Sequence, residues 1–182
     1  ATVSRPDIAC AVNFLTRRLK KPTEFDLQAA KRVLKYLKKT ISYSIIYSRV
    51  PDFVKSIEGF SDADFANDLD GRKSISGYVF KAGSGSITWR SKKQTVVAKS
   101  TVEAEYIAGS DSCSEALWIR SVFHELDIDD LNIPIYQDNQ GAIALSRNSG
   151  FHNRSKHIDV AHHFVKDYVA KGFVSTIYVP TE

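Results

Sequence analysis

From residue 56 onward the chain spells out a single order of elements, and that order leaves few folds open. Ser56–Ser61 is a short apolar strand that ends in Asp62. Asp68 to Lys73 is polar and turn-rich. Ser76–Lys81 (SGYVFK) and Ser86–Arg90 (SITWR) are strands joined by the tight turn Ala82–Gly85, which predicts an antiparallel hairpin. Ser100 to about Leu126 is a long helix, and Ser100-Thr101-Val102-Glu103 fits a capping box with Ser100 as N-cap. Ile133–Gln137 (IPIYQ) is the next strand, Gln140–Ser146 a short helix and Asn148–Ser155 a polar loop. Ser155 to Ala170 is a helix stopped by Gly172, and Phe173–Val179 is a last strand before Pro180. A three-stranded meander followed by a helix that crosses to a parallel strand predicts an α/β fold. Its sheet is mixed and five-stranded, with helices on both faces.

The first 54 residues read differently. Ser4 as N-cap, Pro6 in the first turn and the stripe Ile8, Val12, Leu15, Leu19 predict a helix over residues 4–20, closed by Lys20-Lys21-Pro22. Thr23 with Asp26 resembles a capping box for a second helix, Glu24 to about Lys39, with an apolar stripe of Leu27, Ala30, Val33/Leu34 and Leu37. Thr40 to Tyr47 alternates weakly, as a strand does, and Arg49–Asp52 reads as a linker. Residues 1–50 carry a net charge of +8, and the remainder carries −4. A basic segment beside an acidic one fits a polyanion partner near a cation-binding site; a solvated basic helix face explains the charge equally well.

Composition narrows the class. A chain of 182 residues, 43% of them hydrophobic, supports one domain with a sizeable core. Cys10 and Cys113 form neither a metal-spacing motif nor a disulfide framework, which fits a reducing, intracellular setting. No apolar run approaches the roughly 20 residues of a membrane span. The N-terminus lacks a signal-peptide layout, and the absence of any Met reads as a piece of something longer.

The chemistry is carried by acids. Asp62 and Asp138 each follow the C-terminal end of a strand, with the long helix between them in sequence. A right-handed crossover makes those strands parallel, so both carboxylates project from one sheet edge. Clustered carboxylates repel one another unless a cation neutralises them. Two Mg²⁺ ions about 4 Å apart can activate water on one side of a phosphodiester and stabilise the leaving oxygen on the other. Of the helix acids, Glu103 and Glu105 point about 200° apart. Glu103 can turn back onto the Ser100 backbone as a cap, which leaves Glu105 to face the sheet edge. Asp64, Asp68 and Asp70 read as turn or solubilising residues.

The runs GFSDADFANDLDGRKSISGYVF, ITWRSKKQTVVAKSTVEAEYIA, ALWIRSVFHEL, IYQDNQGAIALSRN, KHIDVAHHFV and YVPTE resemble the ribonuclease H region of copia-type retrotransposon Pol polyproteins. The upstream SRPDIACAVNFL and KPTEFDLQAAKRVLKYLKKT resemble the segment joining reverse transcriptase to that region. The resemblance implies two parts: residues 1–54, a basic remnant of the reverse transcriptase connection, and residues 55–182, a ribonuclease H-like domain without its C-terminal helix. It implies metal-dependent hydrolysis of the RNA strand of RNA–DNA hybrids during reverse transcription, with Asp62, Glu105 and Asp138 as catalytic residues holding two Mg²⁺ or Mn²⁺. The family's fourth acid would lie beyond Glu182, with Asp159 the nearby substitute as a metal ligand. The implied partners are an RNA–DNA hybrid and the reverse transcriptase portion of the same polyprotein, with no membrane. The implied location is the cytoplasm, in a retrotransposon particle, or the nucleus.

Hybrids are read through backbone, groove shape and 2′-hydroxyls. Arg72, Lys73, Arg90, Lys92, Lys93, Gln94 and His157 suit phosphate contact, and Ser61, Asn139 and Gln140 border the acids. Tyr106 and Trp118 have the spacing of core aromatics, Trp89 fits either role, and His124 reads as structural. His157, Asp159, His162 and His163 bunch closely enough for zinc, but no third well-spaced ligand accompanies them. A transposase or integrase core would place its Glu last, whereas here it comes second. A non-catalytic, nucleic-acid-binding retroelement remnant is the alternative from another class.

Overall fold

The computed structural model describes residues 1, 3–68, 71–147 and 156–180, with the side chains of residues 147, 156–160 and 162 excluded. Its centre is a mixed five-stranded sheet of order β3-β2-β1-β4-β5. Strands β1 (Ile57–Asp64), β2 (Ile75–Ala82) and β3 (Gly85–Lys93) form the antiparallel meander that the turn residues predict. The turn before β3 places Gly83 at φ +60°, where a side chain would be strained. Helix α3 (Thr101–His124) then crosses over to β4 (Ile133–Gln137), which pairs parallel to β1. Helices α4 (Gln140–Arg147) and α5 (Lys156–Ala170) lead to β5 (Val174–Tyr178), parallel to β4.

The alternation of β1 decides which face is buried. Ile57, Gly59, Ser61 and Ala63 turn toward α3, while Glu58, Phe60, Asp62 and Asp64 turn away. On the α3 side, Ile57, Phe80, Ala82, Ile133, Ile135 and Val174 from the sheet meet Tyr106, Cys113, Ala116, Ile119, Leu145 and Val165 from the helices in one core. A separate patch of alanines, Ala63, Ala98, Ala104 and Ala108, lies under the N-terminal half of α3. These short side chains let the helix sit close to the sheet edge, which matters for the site.

On the other face, helix α1 (Ala9–Thr16) packs at the β3 end, where the Asn13 amide donates to the Ser91 carbonyl (3.0 Å). Arg17, just past α1, pairs with Asp68 at 3.2 Å, and Asp68 also receives Lys93 at 3.2 Å. Helix α2 (Glu24–Lys39) packs against α1 with its capping box intact.

Three expectations change. The first helix does not start at a Ser4 cap: Pro6–Ile8 forms one 3-10 turn, and α1 begins at Ala9 without a side-chain cap. Residues 40–47 form no strand, because Tyr47 and Ser48 meet the hairpin through the Tyr47 hydroxyl and the Ser84 side chain and make no ladder. Trp118 is 60% exposed while Tyr106 is buried. Twelve residues at 100° each set the two about 120° apart around the helix, so they cannot share its inner face.

Candidate metal and nucleic-acid site

Three acids distant in sequence meet at one edge of the sheet. Asp62 lies within β1, two residues before the strand's last residue, Asp64, and is paired with Gly77. Asp138 directly follows β4, and the parallel register Gly59–Ile135 and Phe60–Tyr136 sets the two strand ends side by side. Glu105 comes from the second turn of α3. One carboxylate oxygen of each lies within 4.8 Å of the others.

Glu105 is 7% exposed, and its Oε2 is buried with no hydrogen-bond partner among the described residues. Burial, with the charges of Asp62 and Asp138 adding to it, pushes its carboxyl up to about 7. Desolvation within the cluster, followed by the charges of Asp138 and Asp64, raises Asp62 as well, although that residue as a whole is exposed. An orphaned carboxylate oxygen between two further carboxylates is unfavourable alone and favourable beside a cation. Three oxygen donors from three carboxylates suit a hard divalent ion such as Mg²⁺ or Mn²⁺. Glu103 has the other role: its Oε2 accepts the Lys99 N–H at 2.8 Å, one residue before the expected Ser100, while the Ser100 hydroxyl accepts the Glu103 N–H.

The remaining expected residues divide. Arg72, Arg90, Lys92 and Gln140 are exposed and accessible to a polyanion. Lys73 donates to the Thr95 carbonyl, Lys93 to Asp68, and the Asn139 side-chain oxygen caps α4 by accepting the Ala142 N–H. Ser61 is corrected: it sits on the α3 side of β1, buried, so its hydroxyl does not face a sugar or phosphate. Gln94 is also turned inward and buried, against Ser76 and Ala104. His124 is exposed and paired with Asp129. His157 and Asp159 fall on α5, but their side chains, with that of His162, lie outside the described residues, and with them the fourth-acid and zinc expectations. Asp70 is also outside.

Beside the acids, the sheet face away from α3 is open. A groove of about 870 Å³ runs from Asp62 and Asp138 over Phe60, Tyr136, Val79 and Trp89 to α1. Phe60 and Tyr136, neighbours on β1 and β4, line it and stack with ring centroids 5.1 Å apart. Sequence spacing gives no hint of this groove, because it depends on which face the helices leave bare.

No family model matches the chain. The retrovirus-related Pol polyprotein from transposon TNT 1-94 of Nicotiana tabacum is 39% identical over 178 residues, 98% of this chain and 13% of that protein. The corresponding polyprotein from transposon RE1 of Arabidopsis thaliana is 41% identical over 179 residues, 98% of this chain and 12% of that protein. The chain belongs to the retrovirus-related Pol polyproteins of transposons. This Pol segment therefore spans about an eighth of the length of the curated relatives it matches. Its sheet is the ribonuclease H-like fold. The ribonuclease H1 LC11, isolated from compost, superposes with a TM-score of 0.51 at 9% identity, over 69% of this chain and 84% of that one. The foamy viral protease-reverse transcriptase in complex with an RNA/DNA hybrid gives 0.51 at 14% identity, over 77% of this chain and 19% of that one.

Proposed function

We propose that this Pol segment is a retrotransposon ribonuclease H, which hydrolyses the RNA strand of RNA–DNA hybrids formed by the reverse transcriptase of the same polyprotein. The observation that carries the reading is the meeting of Asp62, Glu105 and Asp138 within 4.8 Å at the edge of a ribonuclease H-like sheet. In this reading residues 55–182 are the nuclease domain and residues 1–54 belong to the reverse transcriptase connection.

Asp62, Glu105 and Asp138 would hold two Mg²⁺ or Mn²⁺ ions. Bound there, such ions supply charge neutralisation at the phosphodiester and a water of lowered pKa. The chain's own residues do the rest. Glu105, with an unpartnered oxygen in a dry setting, fixes the third side of the carboxylate cluster. Arg72, Arg90 and Lys92 offer exposed positive charge to the hybrid backbone, a contact that positions without reading sequence. Water is the nucleophile, and no side chain forms a covalent intermediate. An RNA–DNA hybrid is also what the foamy viral structure holds.

The test is cleavage of an end-labelled RNA–DNA hybrid in Mg²⁺ by this chain and by its Asp138→Asn variant. Cleavage by the first and a loss of about 10²–10³-fold in the second is expected, since removing one preorganised charge-stabilising group costs on that order. Undiminished cleavage by Asp138→Asn overturns the site. Hybrid binding without cleavage by either favours a non-catalytic remnant.

A further inference from the structure

Two buried glutamines reach the same turn of α3 from opposite sides. Gln94, just past β3, donates its Nε2 to the Ala104 carbonyl (2.9 Å) and to the Ser76 hydroxyl (2.9 Å). Gln137, the last residue of β4, donates its Nε2 to the Glu105 carbonyl (3.4 Å). A carbonyl only accepts, so each amide must present its nitrogen. For Gln94 this leaves Oε1 buried with no partner among the described residues, an unfavourable arrangement that a glutamine serving only to fill space would avoid.

Neither bond is needed to satisfy the helix. The Ala104 and Glu105 carbonyls lie inside α3, where the N–H groups four residues on already serve them. The additional bonds contribute placement. Gly109, one turn after Glu105, makes room for the second: a Cβ there would lie 2.6 Å from the Gln137 Nε2. The alanines beneath this turn let it approach the sheet, while repulsion among three carboxylates pushes it away.

We propose that Gln94 and Gln137 are positioning residues that grip the α3 backbone at consecutive carbonyls and hold the Glu105 carboxylate over Asp62 and Asp138. The proposal rests on the reading of those acids as a metal site. β4 then supplies a grip and a ligand from adjacent residues, Gln137 and Asp138. Gln94 ties the same turn to β2 through Ser76. Both act on the ion only through Glu105.

The test titrates Mn²⁺ into the full 182-residue chain, following the free-ion signal by electron paramagnetic resonance, with thermal unfolding measured in parallel without metal. Gln94→Met and Gln137→Met keep side-chain volume and delete the amide. Each is expected to weaken Mn²⁺ affinity about tenfold, the usual scale for groups that orient ligands from behind. Gly109→Ala displaces the Gln137 amide without removing it, so it should reproduce the Gln137→Met loss and add nothing to it in the double variant. If Gln94→Met does not fold, the Gly109 and Gln137 variants decide the matter. Wild-type Mn²⁺ affinity in these variants, with Asp138→Asn abolishing binding, overturns the positioning role alone, whether or not the melting temperature falls. A wild-type chain whose Mn²⁺ binding is absent or indifferent to Asp138→Asn overturns the metal site and the positioning role together.

Discussion

Helices α2 and α3 are both long and capped, yet they have opposite fates. In α2 the capping box is complete, with Thr23 and Asp26 each satisfying the other's backbone, acids in the first turn and lysines in the last. Apolar and charged positions separate cleanly along it, yet Leu34 is 65% exposed and Phe25 and Leu27 are exposed too. In α3 the inner face is mostly small, Ala104, Ala108, Cys113 and Ala116, and that helix is buried against the sheet. Periodicity states which side of a helix could be buried; it does not supply the surface to be buried against. Local physics accounts for α2, and tertiary packing for α3.

The contrast breaks most visibly in the core. Ile119→Ala in α3 should cost about 2–5 kcal/mol of unfolding free energy, measured by denaturant unfolding, because the surrounding core relaxes only partly around the lost volume. A cost below that of an exposed substitution would mean α3 is held chiefly by its ends.

The second test uses the buried acids of the two helices, which titrate with opposite sign. Glu105 keeps its proton up to about 7, against an ordinary glutamate value of 4.5. Its contribution to stability is therefore full below 4.5, and it is lost as pH rises toward 7, where the unfolded chain is ionised and the folded one resists. Melting of the metal-free chain should fall over that window. Glu105→Gln should flatten the profile, and Mg²⁺ should restore stability at its alkaline end. Asp26 in α2 is held below the ordinary aspartate range by hydrogen bonds from Thr23, so its contribution is present at neutral pH and disappears in acid. A profile unchanged by Glu105→Gln would remove this distinction.

Smaller effects sharpen the picture at α2. Thr23→Ala should cost about 1 kcal/mol of helix stability. Because α2 packs chiefly on α1, the loss should appear as faster amide exchange over residues 24–39 with the global midpoint nearly unmoved. Leu34→Ala should stay within about 0.5 kcal/mol, the range of exposed substitutions. A larger loss would show that the outer face of α2 is covered in solution.

Much of the architecture was legible because local signals agreed. IPIYQ occupies β4 at the expected bounds, Glu24–Lys39 is the expected helix, and SGYVFK and SITWR form the hairpin. Asp62, Glu105 and Asp138 could be grouped because strand ends and one crossover fix an edge, and Glu103 could be set aside because capping is local. Less legible was whatever depends on long-range packing. Lys93 closes β3 and Gln94 follows it, both polar, yet Gln94 is buried under α3 and Lys93 pairs with Asp68. Ser61 borders an acid in sequence and faces the opposite side of the sheet, because alternation turns neighbours apart. Residues 40–47 alternate weakly, yet Tyr47 and Ser48 meet the hairpin through side-chain hydrogen bonds and do not extend its ladder.

The strand order also sets a sequence of events. β1, β2 and β3 are consecutive in the chain and pair as neighbours, β2 and β3 across a two-residue turn, so the meander can form from contacts close in sequence. β4 follows α3 in the chain and pairs with β1 in parallel across a long sequence separation, and contacts of this kind are intrinsically slow to form. Asp62 belongs to the early half and Asp138 to the late one. The acidic cluster is complete only when β4 lies beside β1, and under the proposed metal reading an ion bound there stabilises that docked state alone. Under the proposed metal reading, a nascent polypeptide halted before Ile133 lacks Asp138 and is expected not to take up manganese, so metal uptake during synthesis would read out the moment at which the two halves of the sheet join.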